Sequence, residues 1–487
     1  MEDGVASAAA PDVLDSDAAG GLVMRGGLVR AAGYVAGTLL SLVSFSVITR
    51  HLGVERFGDY QTALSVITVV SAITDVGMAT LAVREYATLT GAVRDRLMRN
   101  LLGARLGLTA TGIVVAVGFA VAAGFDGALL AGTALAGVGV GLNVVQSMLA
   151  VPLAAQLQLT MQTLLELGRQ AVLVAVLMLL VLLGAGVLPL LAATIPAGIF
   201  GVVATARRVR GRIPLRPALH ADEWPRLLRL TVPVALTLAT GTVYIFLAQI
   251  ITELVASERE SGLFAASFRV FFVVAAVPGL VVSAAFPVLT RAARDDQARL
   301  AYALDRLVAT MVVVGGLIGL ALSVGAPVAL DVVAGAGYEG AIPALETQAW
   351  ALLASFVLAP LSFALLSLRL HREIAVANVL ALGTSATLTL LLAPDHGATG
   401  AGVASLAGES ILMLGTFVLL VHARPDLRPQ LGVFGKAALA LALGVGAATL
   451  SGLPALPATL FAVLAYVVVV VATRAVPEEL RDLLPRR

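Results

Sequence analysis

The 487-residue chain has no cysteine, a single lysine (Lys436) and few charges, with Asp, Glu, Lys and Arg making up 13% of it. That is about half the roughly 25% typical of a soluble globular protein. The missing cysteine excludes disulfides, thiolate nucleophiles and Cys-ligated zinc or iron–sulfur centres. The 32 basic residues are balanced by 30 acidic ones, leaving a formal net charge of +2. Nucleic-acid binding therefore has no compositional support. Too few polar residues remain to cover a water-facing surface. What the chain has instead is 59% hydrophobic residues, 48 glycines and a mean hydropathy of +0.98. Most of its length belongs in lipid.

A helix needs about 20 mostly apolar residues to cross the hydrocarbon core. Stretches of that kind recur fourteen times, from residues 24–49 to the closing pair 433–451 and 455–474. The closing pair is split by the SGLPALP turn at Ser451–Pro457, and twelve spans with a long hairpin is the alternative count. The expected fold is an all-α, polytopic membrane protein of about fourteen transmembrane helices. Residues 1–23, rich in Ala, Ser and Asp, lack the basic start of a signal peptide and read as a disordered cytoplasmic tail.

Short loops on the cytoplasmic side of a membrane protein collect Lys and Arg. With the N-terminus placed inside, the outer loops hold only Arg50, Arg56 and Arg259. Six arginines fall within spans: Arg30, Arg105, Arg169, Arg229, Arg269 and Arg306. The remaining 23 of the 32 basic residues lie on the inner side. This asymmetry alternates loop by loop, which predicts a cytoplasmic (inner) membrane protein with both termini inside.

The most basic loop, residues 207–226, divides the chain into six-helix bundles at 24–206 and 227–423, with a helix pair and short tail at 424–487. Internal similarity supports the division. HLGVERFGDYQTALSV places Gly58 and Tyr60 at the start of the second span, and LVASERESGLFAASFRV places Gly262 and Phe264 at the start of the eighth. Two six-helix repeats related by an axis along the membrane normal form a transporter architecture, with the substrate between them.

Enzymatic chemistry finds little support. Lys436 lies in GVFGKAAL, which lacks the spacing of a phosphate-cradling loop. His51, His220, His371, His396 and His422 fall in loops or at span ends without ligand spacing, so no metal or cofactor is expected. The acidic doublet Asp295–Asp296 sits among Arg291, Arg294 and Arg299 and reads as a solvated mixed-charge loop.

Ionisable residues at membrane depth are costly and so become functional candidates. Arg269 lies about eight residues, roughly 12 Å, into the eighth span, with no acid of its own helix within four residues. It reads as a cation for an anionic headgroup, with Arg30, Arg105 and Arg169 as further substrate-binding candidates. Asp75, Glu409 and Glu166 are candidates for carrying a coupled proton. Each has a structural reading beside the functional one. Glu166 and Arg169, spaced i, i+3, can neutralise each other. Asp75 and Glu409 can bond neighbouring helices, and Arg30 and Arg105 can snorkel to the inner interface. Pro233, Pro278, Pro287, Pro327 and Pro360 interrupt the seventh to tenth spans and mark where bending is expected.

The run at 47–87, with Leu52-Gly53, Gly58-Asp59-Tyr60, Asp75-Val76-Gly77 and Arg84, resembles the N-terminal signature of polysaccharide flippases. These belong to the multidrug/oligosaccharidyl-lipid/polysaccharide exporter superfamily. GLFAASFRVFFVVAAVPGLVVSAAFPVLTR (262–291) resembles the eighth helix of that family, and GAGYEGAIPAL (335–345) and HGATGAGVASLAGES (396–410) are further matches. The resemblance implies a flippase for a polyprenyl-phosphate- or pyrophosphate-linked oligosaccharide, working by alternating access alongside a polymerase or glycosyltransferases of the same pathway. Its partners would then be that glycolipid and the surrounding membrane lipids. A lipid II flippase is a rival, although Arg30-Ala31 stands where those proteins carry an Arg-Asp pair. A cation-coupled drug antiporter would want a carboxylate in the first span, which has none. A membrane glycan polymerase or glycosyltransferase would need catalytic loop residues, and none is evident.

Overall fold

The computed structural model describes residues 18–75, 77–214, 216–219 and 224–475. Before the basic loop come α1 (Ala18–Leu52), α2 (Val54–Asp75), α3 (Met78–Thr88), α4 (Gly91–Ala122), α5 (Gly127–Leu149), α6 (Val151–Ala155), α7 (Leu159–Leu182), α8 (Val187–Ala192) and α9 (Thr194–Arg208). After it come α10 (Trp224–Val255), α11 (Glu258–Ala275), α12 (Val277–Asp295), α13 (Gln297–Val324), α14 (Ala326–Val333), α15 (Ile342–Ser367), α16 (His371–Ala423), α17 (Gly432–Ser451) and α18 (Ala455–Ala472). No strand occurs among the described residues. Lipid leaves this chemistry little choice, because each backbone polar group must find its partner within its own segment.

Among the described residues, twelve helical stretches are long and apolar enough to cross a membrane. One of them is α16, whose 53 residues break at Gly397 (φ 51°, ψ −135°) just after Pro394. Counting its two arms separately and adding α10, of which Ala239–Val255 is a shorter apolar helix, brings the crossings to the expected fourteen. The closing pair are both full spans. At 20 and 18 residues, they are long enough for the core at about 1.5 Å per residue. The chain is a multi-pass membrane protein.

Several crossings are jointed. The second is α2 and α3, separated at Gly77, whose φ of 65° suits the left-handed region. Pro278 and Pro327 sit in the first turns of α12 and α14, at helix starts and not inside helices, and Pro360 lies within α15. A proline in the first turn forfeits no intrahelical hydrogen bond. Two of the five prolines therefore mark segment boundaries, and Pro233, Pro287 and Pro360 fall within the bounds of α10, α12 and α15. The side chains of Pro233 and Pro287, like residues 1–17, lie outside what is described.

At the arginine-poor end the halves before and after the basic loop meet closely. A Cβ on Gly58 of α2 would lie 2.7 Å from the Glu258 carbonyl oxygen and 2.9 Å from the Gly262 nitrogen. Small residues permit such backbone approach, which is how helices associate in lipid. Phe45, Phe57 and Tyr338 pack edge to face across the same junction, with centroids 5.1 and 6.4 Å apart. Arg50 donates to the Val332 carbonyl at 2.9 Å. Glu260 accepts from the Ala398 nitrogen at 2.7 Å, satisfying a backbone donor freed by the Gly397 break.

Candidate functional site

A cavity of about 430 Å³ opens between α1, α7 and α11. It is built by a ladder on α1: Gly33, Gly37, Ser41 and Phe45 recur every four residues and so share one helix face. The two glycines let α7 approach, since a Cβ on Gly33 would run into Thr163 and one on Gly37 would lie 3.0 Å from the Gln170 amide oxygen. Gln170 donates to the Gly37 carbonyl at 2.7 Å and ties the two helices. The lining is polar for a membrane protein, with Thr38, Ser41, Gln162, Thr163, Glu166 and Gln170. It runs from Arg269 at mid-helix towards Leu159, where α7 begins at the arginine-rich end.

Arg269 projects into this cavity from α11. Its guanidinium donates to the Ser41 hydroxyl and stands 5.9 Å from the Phe45 ring centroid. The arginine forms no ion pair with any described residue. Its Nε is buried without a hydrogen-bond partner. A desolvated cation with unused donors is a ready receptor for phosphate oxygens, which accept charge-assisted hydrogen bonds from guanidinium groups.

The other sequence candidates separate into three places. Glu166 lines the cavity but pairs with Arg169 one turn along α7, the partnership their spacing predicts. Arg105 is not at the cavity. Buried itself, it forms an ion pair with the half-buried Asp75 and donates to Ser147 at 2.8 Å, joining α4 to the end of α2 and to α5. Arg30 lies on α1, and its side chain falls outside the described residues.

Glu409 occupies a second cavity of about 440 Å³, between α10, α11, α15 and α16. Tyr244 donates to one carboxylate oxygen at 3.0 Å and Ser355 to the other at 2.8 Å. Phe268, Phe271 and Phe272 form one apolar wall, and no Lys or Arg lines the cavity. Phe272 also lines the first cavity, so one ring partitions the two. Reading single spans misses Ser41, Gln170, Tyr244 and Ser355. The Gly33–Gly37 spacing on α1 was the one available signal of a close approach there.

The doublet Asp295–Asp296 has structural partners. Arg294 hydrogen-bonds Asp295 at 2.8 Å and holds its carboxyl below the usual carboxylate range. Asp296 caps α13 by accepting from the Arg299 nitrogen at 3.0 Å.

Residues 47–343 match the family described as polysaccharide biosynthesis protein. Solved structures share the fold at low identity. A lipid II flippase MurJ in an inward closed conformation aligns with TM-score 0.75 and 12% identity, covering 94% of this chain and 100% of that one. An inward-facing multidrug resistance MATE family transporter of the MOP superfamily gives 0.58 and 14%, covering 82% and 99%. A Vibrio cholerae MATE transporter, VcmN, gives 0.58 and 13%, covering 83% and 97%. No curated protein matches.

Proposed function

We propose a function from the premise that this chain belongs to the polysaccharide biosynthesis protein family: it is a flippase moving a polyprenyl-(pyro)phosphate-linked oligosaccharide across the cytoplasmic membrane for surface polysaccharide synthesis. The observation that carries the reading is Arg269, half-buried with an unpartnered buried Nε and without a counter-ion among the described residues, facing a polar cavity. An amphipathic glycolipid needs a cation for its phosphates and hydrogen-bonding side chains for its sugars. Arg269 supplies the first, and Gln162, Thr163 and Gln170 supply the second.

The basic loop at 207–226 separates two bundles, 24–206 and 227–423, that rock about the cavity while the pair 424–487 packs outside them. Both termini lie in the cytoplasm. The chain has no nucleotide-binding element, so the drive is an ion gradient, the membrane potential or removal of product. Glu409, in an aromatic cavity with no Lys or Arg among its described lining residues, is the proton carrier in this reading. Asp75 and Glu166 are held by arginines and serve the fold.

Two alternatives come from the similar folds. MurJ is described as a lipid II flippase and the MATE proteins as multidrug transporters. The test presents polyprenyl-pyrophosphate oligosaccharide, lipid II and a cationic dye in turn to proteoliposomes and follows each across the bilayer. Oligosaccharide movement that Arg269→Ala slows by about 10–100-fold is expected. Lipid II movement alone transfers the chain to that cargo class, and dye efflux alone makes it an antiporter. Wild-type transport by a well-inserted Arg269→Ala removes Arg269 from the site.

A further inference from the structure

A second polar centre lies where α2 of the first half meets α10 and α11 of the second, at the arginine-poor end. Thr62 of α2 donates to Glu253 of α10 at 3.1 Å and lies 3.4 Å from the Ser261 hydroxyl of α11. Gln249, one turn along α10 from Glu253, donates to Ser261 at 2.8 Å and to Thr62 at 3.3 Å. Gln249, Thr62 and Ser261 are all at least 98% buried, and the amide oxygen of Gln249 has no partner. Polar groups this deep in a membrane protein tie helices together, and a buried oxygen left over marks the cluster as incompletely satisfied.

Directly outward lies a cavity of about 590 Å³ into which both halves send carboxylates. Glu55 and Asp59 come from α2, Asp126 from the start of α5, Glu253 from α10 and Glu258 from α11, against Arg259 as the one cation in the lining. Arg56 stands at the neighbouring surface. From α16, Asp395 and His396 are exposed at the same end, and Glu260 is engaged by Ala398. Asp126 caps α5 and is held as an acceptor by the Leu129 nitrogen at 2.6 Å. Asp59 and Glu253 are half-buried and lie on opposite sides of the α2–α10 boundary. Ionised together they repel across the contact that closes this end, and protonating one relieves the repulsion.

We propose that Asp59 and Glu253 form a proton-binding latch: protonated, they let the arginine-poor end close through the Thr62–Glu253–Ser261–Gln249 cluster, and ionised, they drive it open. This rests on the alternating-access reading and adds to it a proton site distinct from Glu409. The sign follows from the geometry. Crowding favours protonation in the closed state, so closing takes up protons and acid favours the closed state. The latch sits beside the Gly58–Gly262 approach, so a small separation of α2 from α11 exposes the whole cluster to water.

The chain has no native cysteine, so spin labels attach only where they are placed. Ala128→Cys and Ala336→Cys, both exposed at this end, report its opening as a distance, measured in nanodiscs of phosphatidylethanolamine and phosphatidylglycerol. A short distance near about pH 5 that lengthens near about pH 8 is expected, bracketing the range that crowded carboxyls reach. Asp59→Asn with Glu253→Gln should lose the lengthening. If that pair does not fold, Glu253→Gln alone retains an oxygen for the Thr62 hydroxyl and should cut the response by roughly half. A wild-type distance that ignores pH overturns the latch, as does a response that survives unchanged in these variants. The measurement needs no glycolipid. A chain that moves none yet shows the response loses its cargo assignment and keeps the latch, and the reverse result removes the latch alone.

Discussion

The two mid-membrane cavities share Phe272 and little else. The cavity of α1, α7 and α11 holds an arginine without a counter-ion among threonine, serine and glutamine. The cavity of α10, α11, α15 and α16 holds a carboxylate without a cation among phenylalanines. A guanidinium stays charged under any physiological condition, and because the cavity's own carboxylate, Glu166, is taken by Arg169, Arg269 is left to an anion from elsewhere. A carboxylate in an apolar surround can instead satisfy itself by taking a proton. In the proposed function, the opposite charges on either side of Phe272 would let cargo recognition and energy coupling occupy separate cavities. Interactions in one cavity then need not be broken when the other changes state.

Substitutions can break or sharpen that contrast. The largest expected effect falls outside both cavities and bounds it. Arg105→Ala leaves the half-buried Asp75 without its partner, at a cost near the low end of that for a buried pair, about 3 kcal/mol. The readout is a lower thermal unfolding midpoint in detergent with transport lost in proportion to folded protein. A fully stable variant that fails to transport would instead add Arg105 to the cargo-binding cations and blur the division.

Next comes Arg269→Ala. Losing a charged hydrogen-bonding partner for phosphate is expected to reduce glycolipid translocation by about 10–100-fold, the rate equivalent of about 1.5–3 kcal/mol. Arg269→Lys should recover only part, because an ammonium cannot make the forked contact. Glu409→Gln keeps one acceptor oxygen and replaces the other with an amide donor that a hydroxyl of Tyr244 or Ser355 can accept from, but it cannot ionise. It should retain downhill glycolipid exchange and lose the stimulation given by an imposed pH gradient. Loss of binding in Glu409→Gln, or loss of the gradient response in Arg269→Lys, would mean that the two cavities do not divide the work as described.

The smallest effect belongs to Arg169→Ala. Its partner Glu166 is about half exposed, and pairs of that kind contribute about 0–1 kcal/mol. Stability should change within that range and translocation by no more than about fourfold. A larger loss of translocation would bring Arg169 into the first cavity's work.

These expectations differ in how far they could be read from residue order. The crossings were legible because hydrophobic length is a local property, and the closing pair at 433–451 and 455–474 appears as α17 and α18. The partnership of Glu166 with Arg169 was legible for the same reason, since three residues along a helix is one turn. The isolation of Arg269 was half legible. The absence of an acid within four residues on its own helix is visible in the sequence, but that Glu166 of α7, in the same cavity, pairs with Arg169 and not with Arg269 is not. The Asp75–Arg105 pair joins residues thirty positions apart on two helices, and no spacing rule reaches across a turn of unknown geometry. The partners of Glu409, Tyr244 and Ser355, come from helices that precede it by 165 and 54 positions.

Composition and hydrophobic run length were enough to establish a helical membrane protein and its crossings, because lipid forces each backbone segment to satisfy its own hydrogen bonds and so makes the span a matter of local sequence. Which charges stand alone, which are paired, and that Gly58 meets Gly262 were decided only when the helices packed. Contacts between helices depend on rotation and register about each axis, and a uniformly apolar helix carries almost no local signal of either.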